Sequence, residues 1–222
     1  MRICAVSDMH GNLNFKVPEC DLLLIAGDLC PATHNSYTSI NMQHDWLYRD
    51  FTQWLKDQPA KHVLFIAGNH DWIWEVARDR VPWICNDRIE YLENDFRHYD
   101  DLKIYGTPVS PMFLNWAFNR EEESLVRHWE AIPEDTDILL CHCPPYGIMD
   151  KTNHPDYPSK HIGSKSLKER IDIIRPELVV FGHNHGDHGM IEKDGIVYVN
   201  ASLLDEKYKM IREPIVIEVE EL

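Results

Sequence analysis

No apolar run in this sequence reaches the roughly 18 residues that a membrane-crossing helix requires, so no spanning segment is expected. Basic residues are scarce: 22 Lys and Arg face 37 Asp and Glu, for a formal net charge of −15. Non-specific grip on a nucleic acid polymer or on an anionic membrane needs stripes of positive charge, and this balance argues against both. A small phosphorylated ligand is still admissible, because bound divalent cations reverse the local potential. Cysteine is scattered, at Cys4, Cys20, Cys30, Cys85, Cys141 and Cys143. Cys141-His142-Cys143 has no second cluster at ligand spacing, which argues against a structural zinc-thiolate site. Disulfides are not required either, since a chain of 222 residues buries most of the surface its unfolded form exposes. The N-terminus shows no basic segment, apolar core and small-residue cleavage site, so a cytoplasmic location is expected. No internal repeat, low-complexity tract or linker appears, and one α/β domain over residues 1–222 is the economical reading.

What the sequence does contain is a series of short apolar runs that stop abruptly at polar residues. They are Ile3–Val6 before Ser7-Asp8, Leu22–Ala26 before Gly27-Asp28, Val63–Ala67 before Gly68-Asn69-His70, Ile138–Cys141 before His142, and Leu178–Phe181 before Gly182-His183. Runs this short, rich in Val, Ile and Leu, are buried strands more often than helices. Their near-continuous apolar character suggests sheets covered on both faces.

Between them lie helical patterns at Asp45–Lys56, Glu121–Glu130 and Ser164–Ile174. In the first, Trp46, Phe51 and Trp54 are read as core residues. In the third, Ser164 is the expected N-cap, and Pro176 follows the end. Two hairpins are expected, Phe96–Tyr99 with Leu102–Tyr105 and Met190–Glu192 with Ile196–Val199, the second turning at Asp194-Gly195. A last strand is expected at Ile215–Val219. Pro144–Gly163 and Pro31–Gln43 read as long loops, and long loops in compact domains often carry function.

Each of the five runs ends in residues that bind metals: Asp8 and His10, Asp28, Asn69 with His70, His142, and His183 with His185. In α/β sheets, ligand sites gather beyond the carboxyl ends of strands. In Asp-x-His and His-x-His both side chains fall on one side of an extended segment. Gly27 and Gly68 permit sharp turns and close backbone approach. Carboxylate, imidazole and amide oxygen together suit divalent Mn, Fe, Zn or Ni. One such element means little, but five of them at five strand ends are a strong joint signal.

These residues resemble the five motifs of the calcineurin-like metallophosphoesterases: Asp8-Met9-His10, Gly27-Asp28, Gly68-Asn69-His70-Asp71, His142, and Gly182-His183-Asn184-His185, in order and across almost the whole chain. Tyr105-Gly106-Thr107-Pro108, Trp116-Ala117-Phe118-Asn119 and His142-Cys143-Pro144-Pro145 are further similar to a branch of small single-domain members. That branch includes brain metallophosphoesterase-domain proteins and resembles bacterial cyclic-nucleotide phosphodiesterases; it usually has Gly where Cys143 stands.

The resemblance implies an α/β four-layer sandwich, two mixed β-sheets flanked by helices. It implies two divalent metal ions (Mn2+, Fe2+/3+, Zn2+ or Ni2+). One would be held by Asp8, His10, Asp28 and His185, the other by Asp28, Asn69, His142 and His183. It also implies hydrolysis of a small phosphodiester, with 2′,3′- or 3′,5′-cyclic nucleotides as the expected class, by a hydroxide the two ions share. His70 resembles the family's histidine outside the metal ligands, expected to stabilise the transition state or protonate the leaving oxygen. Asp71 is expected to hold the other ring nitrogen of His70, or else to serve as the N-terminal acid of a helix Trp72–Arg78. Asn69, His70 and His161 are the expected substrate contacts. Trp116 and Phe118 are read as packing residues, with contact to a nucleobase as the alternative. His34, His44, His62, His98, His128, His154 and His188 are read as surface or structural. The alternative functions are a phosphomonoesterase or protein phosphatase, although no arginine-rich positions flank the motifs, and a metal-binding scaffold without catalysis. A homodimer is left open.

Overall fold

The computed structural model describes residues 1–32, 39–152 and 160–219. His34, His154 and parts of both long loops lie outside the described residues. In chain order the strands are β1 (Arg2–Val6), β2 (Cys20–Ala26), β3 (Ala60–Ile66), β4 (Ile89–Tyr91), β5 (Asp95–Tyr99), β6 (Leu102–Thr107), β7 (Ser110–Pro111), β8 (Asn119–Arg120), β9 (Ile138–Cys141), β10 (Lys151–Thr152), β11 (Lys160–His161), β12 (Leu178–Phe181), β13 (Gly189–Lys193), β14 (Ile196–Asn200) and β15 (Ile215–Glu218). The α-helices are α1 (Ile40–Trp46), α2 (Thr52–Asp57), α3 (Trp72–Val76), α4 (Glu122–Glu130) and α5 (Lys165–Ile174).

Two mixed sheets dominate. The first runs β15-β1-β2-β3-β4, with β1 to β4 parallel and β15 antiparallel at one edge. The second runs β13-β14-β12-β9-β6-β5, parallel at its four inner strands and closed at both edges by the antiparallel hairpin partners β13 and β5. Side-chain alternation along each buried strand sends successive residues to opposite faces, and this builds three separate cores. Ile3 and Ala5 of β1, with Leu22 and Leu24 of β2, meet Ile138, Leu140, Leu178 and Val180 between the sheets. Cys4, Val6, Leu23 and Ile25 face outward against Leu47, Phe51 and Leu55. Leu139, Cys141, Val179 and Phe181 face the other way, against Leu125 and Trp129 of α4 and Leu167 and Ile171 of α5. Three cores separate four layers, helix, sheet, sheet and helix, as expected. No helix among the described residues is long and apolar enough to cross a membrane.

The five apolar runs all form strands, within a few residues of their expected bounds. Both hairpins form, and Asp194 (φ 55°) with Gly195 (φ 74°) gives the left-handed pair that a tight turn demands. Ser164 caps α5 by accepting the Leu167 N–H at 3.2 Å. The first helix differs from expectation. It begins at Ile40, inside the segment read as a loop, and a π-helical turn over Leu47–Phe51 interrupts it. The wide π-turn followed by α-turns keeps Leu47, Phe51 and Leu55 on one buried face. The buried residue of its first segment is Gln43, so no apolar periodicity marks that start. The helix after Asp71 ends at Val76 and is followed by a 3-10 turn over Arg78–Arg80. The Pro144–Gly163 loop is tied by the short antiparallel pair β10 and β11.

Candidate metal centre

All seven expected ligands converge at the carboxyl ends of β1, β2, β3, β9 and β12. Their donor atoms form a continuous chain of close approaches. Asp8 Oδ1 lies 3.3 Å from His185 Nε2, which lies 3.3 Å from His10 Nε2. His10 Nε2 lies 3.5 Å from Asp28 Oδ2. That same oxygen lies 3.5 Å from His142 Nε2. His142 Nε2 is 2.9 Å from Asn69 Oδ1, which is 2.8 Å from His183 Nδ1. Asp28 Oδ2 thus stands between an Asp8, His10, His185 group and an Asn69, His142, His183 group. Its partner oxygen is engaged elsewhere, accepting the His70 backbone N–H at 2.8 Å.

The spacing fits a cation. Two donors each about 2.1 Å from one ion lie about 3.0 Å apart at a right angle and about 3.4 Å apart at the tetrahedral angle. The ring nitrogens of His10 and His185 face each other without a carboxylate between them, an arrangement a cation resolves. Burial is nearly complete: Asp8 and His142 are fully buried, and Asp28 is 2% exposed. Burial would raise both carboxyls. Instead a hydrogen bond from His185 holds Asp8 below the usual carboxylate range, and the charge of His142 does the same for Asp28. Burial pushes His10 down to about 3 and His183 down to about 4. Burial also opposes charge on His142, but Asp28 outweighs it and pushes this imidazole up to about 9. His185 is raised as well, against burial, by Asp8. A proton on His142 would occupy a lone pair that a divalent ion would take.

Neighbouring groups hold the donors in place. His142 Nδ1 faces Ala26 O at 2.8 Å and His185 Nδ1 faces Asp205 O at 3.1 Å, so each presents Nε2 to the cluster. Ser202 Oγ and the His183 N–H both donate to Asp8, at 2.6 and 2.9 Å. Gly27 adopts φ 96°. A Cβ at Gly68 would stand 2.2 Å from Asp28 Oδ1 and 2.7 Å from His142 Cε1. The close approach expected of these glycines is therefore present.

His70 lies beside the cluster, its ring 4.8 Å from that of His10 and 4.2 Å from that of Trp116. Burial lowers its pKa. Its Nδ1 is buried without a hydrogen-bond partner among the described residues, which corrects the expectation for Asp71. The Asp71 carboxylate does not reach His70. It accepts the backbone N–H groups of Leu29 and Gly68 on Oδ2, at 3.0 and 2.8 Å, and that of Cys30 on Oδ1 at 2.8 Å. It caps no helix by its side chain either. Three convergent amides compete for it more effectively than one adjacent ring, because β2 and β3 are neighbours in the sheet.

A cavity of about 550 Å³ opens over the cluster, lined by His10, Asp28, Asn69, His70, His183 and His185 at its floor. His161 and Trp116 line its walls, whereas Phe118 is buried in the outer core with Ala117. Several contributors escaped sequence reading, Tyr208, Gln43 and Arg212 among them. Tyr208 packs its ring 4.8 Å from His10 and 5.2 Å from His185. Gln43 donates to His70 O and accepts from Ile73 N. Arg212 donates to His185 O at 2.7 Å and Leu204 O at 2.8 Å. None sits in a local pattern that announces it.

The calcineurin-like phosphoesterase family model matches residues 1–187, and the chain belongs to that family. It is 29% identical over 245 residues to metallophosphoesterase domain-containing protein 1 of Homo sapiens and of Mus musculus, covering 98% of this chain and 71% of theirs. Among solved structures, phosphopantetheinyl hydrolase from Mycobacterium tuberculosis superposes with a TM-score of 0.54 at 15% identity, over 93% of this chain and 90% of that one. At that identity the likeness concerns the fold alone.

Proposed function

We propose that the protein is a two-metal phosphodiesterase of small phosphodiesters, cyclic nucleotides among them. The observation that carries the reading is the single oxygen, Asp28 Oδ2, placed 3.5 Å from both His10 Nε2 and His142 Nε2 between two donor groups. Asp8, His10, Asp28 and His185 would hold one ion; Asp28, Asn69, His142 and His183 the other. Bound there, a pair of divalent ions would lower the pKa of a water and neutralise phosphoryl oxygens.

The residues supply the rest. Asp28 keeps Oδ2 for both groups because its other oxygen is bonded to the His70 N–H. His70, packed against Trp116, presents its ring beside the cluster where phosphoryl charge develops. Trp116 offers a flat face on the wall of the same cavity, with Met112 and Phe113 beyond it. A phosphate on the floor and a base against this wall describe a nucleotide better than a bare phosphate. The acidic surface favours a small substrate over a polyanion.

The test is reconstitution with Mn2+ and assay against bis-p-nitrophenyl phosphate, p-nitrophenyl phosphate and a panel of cyclic nucleotides. Diesters should turn over faster than the monoester. The reverse order would favour a phosphomonoesterase, and no turnover with any metal would leave a scaffold. His70→Ala should keep its metal content and lose about 100-fold or more in kcat; loss of the metal would defeat the role given to His70.

A further inference from the structure

The carboxylate–imidazole pair expected at Asp71 and His70 is absent there, but one exists at Asp150 and His161, whose imidazole lines the same cavity. Asp150 is 1% exposed. Its Oδ1 lies 2.6 Å from His161 Nδ1, and its Oδ2 accepts the Gly163 N–H at 3.2 Å. Its backbone carbonyl accepts the Ile162 N–H at 2.9 Å. The pairing of Lys151 with His161 across β10 and β11 fixes the same segment from the other side. The Tyr146 ring lies against the imidazole, 4.9 Å away and tilted by 35°. His161 is therefore held in one orientation, although it belongs to a segment without regular core packing.

His161 lines the cavity that holds Asp28, Asn69 and His70. With Nδ1 bonded to Asp150, the nitrogen left for chemistry is Nε2, which has no hydrogen-bond partner among the described residues. A buried carboxylate on the remote nitrogen fixes the ring's orientation and leaves Nε2 as the nitrogen through which a proton can pass. His70 has no such support, since its Nδ1 has no hydrogen-bond partner among the described residues. The other cavity histidines, His10, His183 and His185, point a ring nitrogen into the donor cluster.

We propose that the Asp150–His161 pair delivers the proton to the leaving oxygen of the ester, with His161 as the acid and Asp150 as its positioning residue. The proposal rests on the phosphodiesterase reading above. In the step, the oxygen of the attacking water forms a new bond to phosphorus. The bond from phosphorus to the leaving oxygen breaks, and its electron pair stays on that oxygen. The leaving oxygen takes the proton from His161 Nε2. The water gives its proton to solvent, His161 regains one from solvent, and the products are a phosphomonoester and an alcohol. His70 then serves the phosphoryl charge and not the leaving group.

The experiment varies the leaving group alone. The Mn2+-reconstituted full chain, as wild type, His161→Gln and Asp150→Asn, is assayed on the p-nitrophenyl and the phenyl esters of thymidine 5′-phosphate. p-Nitrophenolate leaves without help, whereas phenolate benefits from a proton. His161→Gln should lose about 100-fold in kcat on the phenyl ester and less than about 5-fold on the p-nitrophenyl ester. Asp150→Asn should show the same imbalance more weakly, and in the metal-free protein a downfield His161 Nδ1–H proton resonance should be present in the wild type and lost in this variant. Circular dichroism and metal content, unchanged in both variants, establish that they fold. Equal losses on the two esters, or losses confined to KM, would overturn the acid role while leaving the phosphodiesterase reading intact. A wild type that hydrolyses neither ester overturns both.

Discussion

At the scale of single residues, four members of the donor cluster occupy the left-handed region of backbone space: Asp8 (φ 52°), His10 (φ 41°), Asp28 (φ 51°) and His183 (φ 65°). Each such residue costs on the order of 1 kcal/mol and persists where its surroundings over-determine it. Here the surroundings are explicit. The Asp8 N–H donates to Gly27 O at 3.0 Å and the His10 N–H to Asp28 O at 3.0 Å, while the His183 N–H donates to Asp8. Asp71 is the keystone of the adjacent turns through its three amide donors. Asp71→Ala should therefore cost about 3 kcal/mol of unfolding free energy, about 1 kcal/mol for each buried N–H left without an acceptor. Urea denaturation of the metal-free protein measures this. A loss below about 1 kcal/mol would mean that water replaces the carboxylate.

At the scale of elements, strands and helices have divided duties. The strands aim the donors: each ligand leaves a buried parallel strand within a few residues of its end, so the sheet's rigidity becomes the site's. The helices cover the outer sheet faces, and Gln43 of α1 donates to His70 O and holds the turn there. Helix α5 supplies none of the donors, and its N-terminus is capped by Ser164. Ser164→Ala should lower stability by about 1 kcal/mol and leave metal content and turnover unchanged. Thermal denaturation with a parallel assay checks both halves, and a fall in turnover beyond that in folded protein would show that α5 is coupled to the site.

At the scale of the whole molecule, one buried cluster gathers two carboxylates and four imidazoles from both sheets, and a bound cation would tie those sheets together. Ligand binding to the folded state alone stabilises it by RT ln(1 + [L]/Kd). Mn2+ at about 100 times its Kd should then add about 2.7 kcal/mol, read as a raised melting temperature that EDTA reverses. The gain should depend on pH with a definite sign. Asp28 and Asp8, against burial, keep His142 protonated up to about 9 in the metal-free protein. A proton therefore competes with the ion at neutral pH, and the competition weakens as pH rises. Stabilisation at fixed Mn2+ should be larger at pH 8 than at pH 6. An equal gain at both would show that His142 carries no proton in the metal-free state.

The four-layer order entered through the family resemblance; the sequence by itself marked the five strands that lead to the candidate donors, both hairpins, the last strand and the metal-binding residue types at the strand ends. Those features rest on forces that act within a few residues: apolar runs that must be buried, glycines that allow a sharp exit, and side chains whose chemistry is plain at each strand end. Only the tertiary structure decided how the pieces pair. Asp71 turned away from its neighbour His70 toward amides 41 and 42 residues distant. His142 found its backbone acceptor 116 residues away in Ala26. Gln43 and Arg212 joined the site with no local pattern to mark them. The carboxylate-backed histidine proved to be His161, through Asp150, because a carboxylate takes whichever donors packing brings within about 3 Å, and sequence adjacency does not rank those donors.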